Sequence, residues 1–188
     1  MTQTCLEARD LVVSVSGRTI LDRVTFAIAP GELAIVSGPS GGGKSTLLRA
    51  LAALQPLTSG DLRVDGVAIS DPPAHRVLIA YVPQLPAMFA GTVSDNVRAG
   101  PRLRSIELGE ARVHALLEDV GLDHAFASRS ARDLSGGEKQ RVAIARALAN
   151  DPRVVLFDDP PPRSTRPRRP WCSRAFAASP RVDAPSSS

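Results

Sequence analysis

Alternating apolar and polar residues predict that the chain begins with antiparallel strands. Leu6 to Val15 and Arg18 to Ile28 are separated by the turn Ser16-Gly17, and apolar side chains recur at every second position near Ile28. A period of two is typical of a strand with one buried face. Leu62 to Ile69 predicts a further hairpin around Asp65-Gly66, a pair that favours a tight turn.

Longer apolar runs predict a second, parallel sheet. Leu33 to Val36 and Val154 to Phe157 contain no polar residue, which is typical of strands buried on both faces, and Arg76 to Val82 is a third candidate. Leucines at positions 47, 51 and 54 predict a helix over Ser45 to Leu54, and Glu110 to Val120 predicts another. Strands that alternate with helices indicate an α/β fold.

The length and composition indicate a single domain without a membrane span. The chain has 188 residues, 43% of them apolar, and no apolar run approaches the roughly 18 residues that a spanning helix needs. Its first ten residues lack the pattern of a secretory signal, and its two cysteines, Cys5 and Cys172, match no metal-ligand spacing. These features favour a reducing compartment.

Positive charge is concentrated at the end of the chain. The net charge is +4, yet residues 160–188 contain six arginines and one aspartate, a net charge of +5, which leaves −1 on residues 1–159. A basic surface on the predicted folded part is therefore not indicated, and no nucleic-acid partner is expected.

Gly38 to Thr46 fits the phosphate-binding pattern G-x-x-x-x-G-K-[ST] between a predicted strand and a predicted helix. Its glycines let backbone N–H groups turn towards a phosphate, and the helix N-terminus adds the positive end of its dipole. Lys44 would reach the β and γ phosphates, and the Ser45 hydroxyl would complete a Mg²⁺ site. A glycine-rich turn without function is the alternative that this context disfavours.

Two later stretches predict further parts of a nucleotide site. Leu134 to Arg141 indicates a helix start in which Ser135 and Glu138 form a capping box, while two glycines leave the first amides bare for an anion. Taken alone, this stretch fits an ordinary capped helix equally well. Asp158 and Asp159 follow the last apolar run, where carboxylates at the end of a core strand would meet Mg²⁺ and an attacking water.

These motifs, in this order, resemble those of the ATP-binding subunit of an ABC transporter. The resemblance covers residues 6–159 and includes a Walker A motif (Gly38 to Thr46), a Q-loop (Gln84), the family signature (Leu134 to Arg141) and a Walker B strand (Val154 to Asp159). Pro86 to Asn96 is similar to the segment after the Q-loop in exporter-type members and in a branch linked to iron or metal export. The resemblance implies a P-loop NTPase with a parallel core sheet, an N-terminal antiparallel β subdomain and a small helical signature subdomain.

The resemblance also implies ATP and Mg²⁺ as cofactors and a role for each matched residue. The residues expected to hold ATP within one chain are Gly38, Pro39, Ser40, Gly41, Gly42, Gly43, Lys44, Ser45 and Thr46. Ser45, Gln84 and Asp158 would hold the metal, and Lys44, Gln84 and Asp159 would take part in catalysis. Ser135, Gly136 and Gly137 would grip the γ-phosphate of an ATP held by a second protomer.

The same resemblance implies two kinds of partner. A homodimer is expected, because each chain supplies only half of each composite nucleotide pocket. The loop that carries Gln84 would meet transmembrane permease subunits. The chain is accordingly expected to be cytoplasmic and peripheral, on the cytoplasmic face of the plasma (inner) membrane.

Two departures from the family pattern predict weaker binding and catalysis. An aromatic residue usually stacks on adenine, but Val15 stands at the aligned position. The residue after the Walker B aspartate is normally a glutamate that polarises the attacking water, whereas Asp159 is one methylene shorter. Because a displacement of about 1 Å at a reacting centre can cost about 10²-fold in rate, slow hydrolysis is expected.

The family pattern stops near residue 160. A serine-alanine-leucine-aspartate turn, another helix and strand, and a histidine that contacts the γ-phosphate should follow, but the chain continues Pro-Pro-Pro-Arg-Ser-Thr-Arg. Seven prolines in residues 160–188 predict a disordered Pro/Arg/Ser-rich tail without a buried strand, after an incomplete ATP-binding domain at 1–159. A shifted reading frame is favoured over a natural basic tail, because the break falls inside a motif.

Three functions are compatible with these residues. A transport ATPase is favoured, although the frame shift would make this chain an impaired or non-functional product. A nucleotide-binding module that does not hydrolyse ATP is the second, because Asp159 replaces glutamate and the histidine is missing. A related ATPase acting on DNA or ribosomes is disfavoured, since the chain has neither a coiled-coil insertion nor a second cassette.

Overall fold

The computed structural model describes residues 4–69, 72–159 and 175–180. The strands are β1 (Leu6–Val15), β2 (Arg18–Ile28), β3 (Ala34–Gly38), β4 (Ser59–Val64), β5 (Val67–Ala68), β6 (Ile79–Val82), β7 (Val154–Phe157) and β8 (Ala175–Pro180). The α-helices are α1 (Lys44–Leu51), α2 (Pro72–Leu78), α3 (Val93–Leu103), α4 (Glu110–Asp119) and α5 (Gly136–Leu148). Two short 3₁₀ helices, at His124–Ser128 and Ala131–Asp133, join α4 to α5.

The N-terminal strands form an antiparallel sheet in the order β2-β1-β4-β5. Strand β1 pairs with β2 from Leu6 opposite Ile28 to Val15 opposite Arg18, so the two predicted strands have the expected bounds. Asp65 and Gly66 have φ angles of 49° and 80°, which lie in the left-handed region that a tight two-residue hairpin requires. The predicted antiparallel subdomain is confirmed.

A second sheet is entirely parallel and has the order β3-β8-β7-β6. Strand β6 pairs with β7 from Ile79 opposite Val154 to Val82 opposite Phe157. All four residues of β7 are buried, as expected for a strand covered on both faces. Because every neighbouring pair is parallel, β3, β6 and β7 end at the same edge of the sheet, which is where open α/β sheets bind ligands.

Strand β8 corrects one prediction from the sequence. It lies between β3 and β7, with Ala34 opposite Phe176 and Val155 opposite Ala175, so residues 160–188 do contain a strand and β3 has a neighbour on that side. The proline count over the whole tail concealed a proline-free stretch at 171–179, and Pro180 occupies the last position, where it removes only one ladder donor. The rest of the predicted tail lies outside the described residues.

Other predicted bounds shift by a few residues. Arg76 and its two successors belong to α2, so the third core strand begins at Ile79. Helix α1 ends at Leu51, and Leu54, predicted on its apolar face, is 51% exposed. Helix α3 was not predicted at all.

The buried side chains form two clusters. One includes Leu11, Leu48 and Leu156, between the antiparallel sheet, α1 and the parallel sheet. The other includes Val97, Leu117 and Ile144, where α3, α4 and α5 pack together into the signature subdomain. Among the described helices, none is both long enough and apolar enough to cross a bilayer.

A fully buried asparagine fixes the loop that follows Gln84. The Asn96 amide accepts a hydrogen bond from the Phe89 N–H at 2.8 Å and donates to the carbonyl oxygens of Phe89 and Thr92, both at 3.0 Å. It therefore satisfies the N–H and the C=O of Phe89, and it shares the Thr92 carbonyl with its own backbone N–H.

Substituting Asn96 by leucine should lower the free energy of unfolding by about 3 kcal/mol, because the N–H and the C=O of Phe89 lose their partner and an amide-lined, fully buried site receives an apolar side chain. The change is measured as a shift in the urea midpoint at constant slope. Asp95→Asn is the control in the same helical turn, since its amide oxygen can still accept the Thr92 N–H and should cost at most about 1 kcal/mol. Equal midpoints for both variants would show that the Asn96 contacts are not stabilising.

Candidate functional site

The phosphate-binding loop has the backbone that its glycines predict. Gly41 and Gly43 have φ angles of +77° and +80°, and a Cβ at Gly43 would lie 3.1 Å from the side chain of Leu21. Gly43 is the N-cap of α1 and supplies no side-chain hydrogen bond, and the first turn of α1 contains no acidic residue. The first amides of α1 are therefore open to an anionic ligand.

Backbone carbonyl groups of the phosphate-binding loop hold the Lys44 side chain in place. Its ammonium group donates to the carbonyl oxygens of Gly38 at 2.9 Å and Pro39 at 2.7 Å. An ammonium group has three N–H donors, so one remains for a phosphate oxygen. The side chain thus curves the loop and presents charge at its centre.

The structure joins the loop to the Walker B strand, 113 residues away in the sequence. The Ser45 hydroxyl donates to Oδ1 of Asp158 at 2.7 Å. The Asp158 side chain is only 14% exposed. A hydroxyl and a carboxylate are hard oxygen ligands, which Mg²⁺ prefers, and Mg²⁺ usually keeps several of its waters when it binds to such a pair. These two residues therefore fit the metal that the sequence predicts.

Two residues that belong to no recognised motif also face Asp158. The Tyr81 hydroxyl donates to Oδ2 of Asp158 at 2.7 Å, and the Arg49 guanidinium lies 4.0 Å from the same oxygen. Burial, and then the hydrogen bond to Asp158, raise the pKa of Tyr81, so its hydroxyl remains a donor at neutral pH. No local pattern could predict this contact, because Tyr81 lies on β6 and Asp158 follows the neighbouring strand β7, 77 residues away in the sequence.

Gln84 and Asp159 lie at the same edge of the sheet but are not tied to the loop. Each follows a strand of the parallel pair β6 and β7, and both side chains are exposed. Within the described residues, neither side chain has a hydrogen bond or an ion pair. Asp159 has a φ angle of 141°, an unusual conformation for a residue with a side chain. Their assignment to catalysis and, for Gln84, to metal binding stays a prediction.

The signature forms the predicted capping box at the start of α5. The Ser135 N–H donates to the Glu138 carboxylate at 2.7 Å, and the Ser135 hydroxyl accepts from the Glu138 N–H at 3.4 Å. Hydrogen bonds from Ser135 are the main cause that lowers the pKa of Glu138. Gly136 and Gly137 are exposed, have no positive φ, and would leave an added Cβ with no atom within 4 Å. Neither packing nor conformation within the described chain requires glycine at these two positions.

The segment after Gln84 is fastened to the signature helix and borders an open cleft. Arg146 of α5 donates to the Ala87 carbonyl at 3.0 Å, and its guanidinium carbon lies 4.9 Å from the centre of the Phe89 ring. Burial lowers the pKa of Arg146. The adjacent cleft has a volume of about 600 Å³, and its wall includes Tyr81, Phe89 and Leu103. Phe89 and Leu103 are 57% and 90% exposed, so this surface is largely apolar and open.

Comparison with known proteins connects these motifs to named families. The family model described as ABC transporter matches residues 21–161. Protein STAR1 of Oryza sativa subsp. japonica is 49% identical over 146 residues, which are 77% of this chain and 42% of that protein. The Fe(3+) ions import ATP-binding protein FbpC of Streptomyces coelicolor is 45% identical over 163 residues, covering 85% of this chain and 47% of that protein. The chain thus spans less than half the length of these curated relatives.

Solved structures show the same fold. CbiO1 from Clostridium perfringens, described as part of the ABC transporter complex cbiONQ, has a TM-score of 0.78 and 25% identity, covering 96% of this chain and 80% of that one. A bacterial Atm1-family ABC exporter with ATP bound has a TM-score of 0.77 and 26% identity, covering 94% of this chain and 34% of that one.

Proposed function

The chain belongs to the family of ABC transporter ATP-binding subunits, and on this premise we propose that it binds MgATP and hydrolyses it slowly, as a dimer, to drive transport through membrane partners. The observation that carries the proposal is the 2.7 Å contact between Ser45 and Asp158. Two motifs that are recognisable separately in the sequence are brought together there, beside the open amides of α1.

Binding is proposed to begin at the phosphate loop. The amides at the start of α1 and the Lys44 ammonium donate to phosphate oxygens, and neither group has a competing carboxylate within the first turn of the helix. Mg²⁺, when bound beside Ser45 and Asp158, would offset charge on the phosphates. These groups position the nucleotide with its γ-phosphate at the edge where β6 and β7 end.

Hydrolysis is proposed to depend on Asp159. Its carboxylate accepts a hydrogen bond from the attacking water and orients that water towards the γ-phosphate. Gln84, which follows the neighbouring strand, donates or accepts on the other side of the same water. The short side chain of Asp159 places the carboxylate about 1 Å too far back, which is the basis for slow turnover.

The exposed signature supports a dimer. Gly136 and Gly137 leave open space and bare helix amides, while the phosphate loop of the same chain has no hydrogen bond or ion pair to them among the described residues. We therefore assign Ser135 and these glycines to the γ-phosphate of an ATP held by a second copy.

Gly136→Asp should prevent ATP-dependent dimerisation without unfolding the chain. A carboxylate in the first turn of α5 stabilises the helix but repels an anion, and the added Cβ meets no atom within 4 Å. Light scattering with a non-hydrolysable ATP analogue and Mg²⁺ should show a dimer for the wild type and a monomer for the variant. Gly109→Asp is the matched control, because that site is equally open and precedes α4. A dimer of Gly136→Asp would contradict this interface.

The apolar cleft beside Phe89 supports docking of a membrane partner. An apolar helix from a permease subunit, carrying an acidic residue for Arg146, fits a cleft of this size and lining. Motion of such a helix would reach α5, the helix that begins at the signature, through Arg146, which lies on α5 and contacts Ala87 and Phe89 beside the cleft. The relatives include one named for Fe(3+) import and one described as an exporter, so the direction of transport is assigned to the partner subunits. The proposed location is the cytoplasmic face of the membrane.

A second candidate is that translation leaves the intended frame at codon 159. By the standard genetic code, one purine restored after the first two bases of that codon makes it glutamate. The 21 bases from the third base of codon 159 to the second base of codon 166 can then be read as proline-threonine-serine-alanine-leucine-aspartate-proline. A single missing base thus accounts both for Asp159 in place of glutamate and for the loss of the serine-alanine-leucine-aspartate turn. In that case the chain is an impaired product of a transporter gene.

Resequencing of the gene across codon 159 tests this candidate. Recovery of the extra base would place the glutamate and the turn back in frame. A confirmed sequence without the extra base, together with the same tail encoded in close relatives, would contradict the frame shift and show that the tail is natural.

A further inference from the structure

The Asp158 carboxylate is held by one hydroxyl on each oxygen. The Ser45 hydroxyl donates to Oδ1 and the Tyr81 hydroxyl donates to Oδ2, both at 2.7 Å. Tyr81 lies on β6 opposite Leu156 of β7, two residues before Asp158, so the sheet register itself sets the position of the phenol. Tyr81 is partly buried, and the Asp158 side chain is 14% exposed.

A third group competes for the same carboxylate. The Arg49 guanidinium, on the exposed side of α1, forms an ion pair with Oδ2 at 4.0 Å, a separation too long for a hydrogen bond. A charged guanidinium binds a carboxylate more strongly than a neutral phenol does, and it can take both oxygens at once. If Oδ2 were not occupied, rotation of the carboxylate towards Arg49 would withdraw Oδ1 from Ser45.

We propose that Tyr81 is a positioning residue for the metal site: its hydroxyl holds Asp158 in the orientation that keeps Oδ1 beside Ser45 and prevents Arg49 from forming hydrogen bonds to the carboxylate. This inference rests on the proposed function, since it concerns the Mg²⁺ that accompanies ATP. Residues that orient metal-binding groups without touching the metal commonly change metal affinity by about 10- to 100-fold when they are replaced.

Tyr81→Phe tests the inference because it removes only the hydroxyl and keeps the ring. Binding of a fluorescent ATP analogue is titrated with excess Mg²⁺ and with EDTA. In EDTA we expect the variant to bind the analogue with the affinity of the wild type. In Mg²⁺ we expect its affinity to be lower than that of the wild type by about 10-fold or more. Adding Arg49→Met to Tyr81→Phe should restore the affinity in Mg²⁺, because the competing cation is gone.

Each contrary outcome overturns the inference in a distinct way. Wild-type affinity of Tyr81→Phe in Mg²⁺ would show that the hydroxyl does not matter. Equal weakening in both buffers would indicate a packing role, and failure of Arg49→Met to restore the affinity in Mg²⁺ would exclude the competition. A folded wild-type chain that binds the analogue in neither buffer would overturn the proposed function itself, and this inference with it.

Discussion

Lys44→Ala is expected to weaken binding of MgATP by at least about 10²-fold. Hydrogen bonds to charged groups contribute about 1.5–3 kcal/mol each, and about 3 kcal/mol corresponds to roughly 10²-fold in affinity. The substitution also removes the hydrogen bonds to Gly38 and Pro39 that curve the loop. Both the charge and the preorganised loop are therefore lost.

The measurement for Lys44→Ala is equilibrium binding of a fluorescent ATP analogue in Mg²⁺, with circular dichroism to confirm folding. Arg112→Ala is the matched control, because it removes one positive charge from an exposed position on α4, away from the loop. The control should bind like the wild type. Wild-type affinity in a folded Lys44→Ala chain would show that the loop is not the phosphate site.

Asp159→Glu is expected to raise the rate of phosphate release by about 10²-fold. The added methylene moves the carboxylate forward by about 1 Å. A misplacement of about 1 Å at a reacting centre can lower a rate by about 10²-fold. The side chain is exposed, so the longer residue meets no packing barrier. Nucleotide affinity should change little, because the proposed contact is made with water and not with ATP.

Single-turnover phosphate release, with ATP bound beforehand, measures this effect separately from binding. Asp159→Gln is the control, since it has the length of glutamate but no negative charge to polarise water. It should be slower than the wild type. If Asp159→Glu and Asp159→Gln gave the same rate as the wild type, Asp159 would not be the base, and turnover would be limited by another part of the site.

The parts of the fold that depend on local pattern were predictable from the sequence. The bounds of β1 and β2 and the capping box of α5 match the structure because alternation, turn residues and caps act within a few positions. Helix α3 also had a local signal, Thr92 followed three residues later by Asp95, which forms a complete capping box. Its Gly-Pro pair near the end obscured the apolar period.

Contacts between distant segments were not predictable in the same way. The sequence indicated Ser45 and Asp158 separately through their motifs, but Tyr81 carries no motif, and its role depends on the register of β6 with β7. Strand β8 was wrongly excluded because proline frequency was judged over the whole tail, whereas pairing needs only a short stretch without proline. Register and strand order are properties of the whole sheet.

Calorimetric titration of ATP into the wild-type chain, with and without Mg²⁺, tests most directly whether Gly38 to Thr46 and Asp158 form one nucleotide site. Saturable binding at one site per chain, tighter in Mg²⁺ than without it, is the expected result. Absence of saturable binding to a chain whose circular dichroism shows folded helices and strands would contradict it.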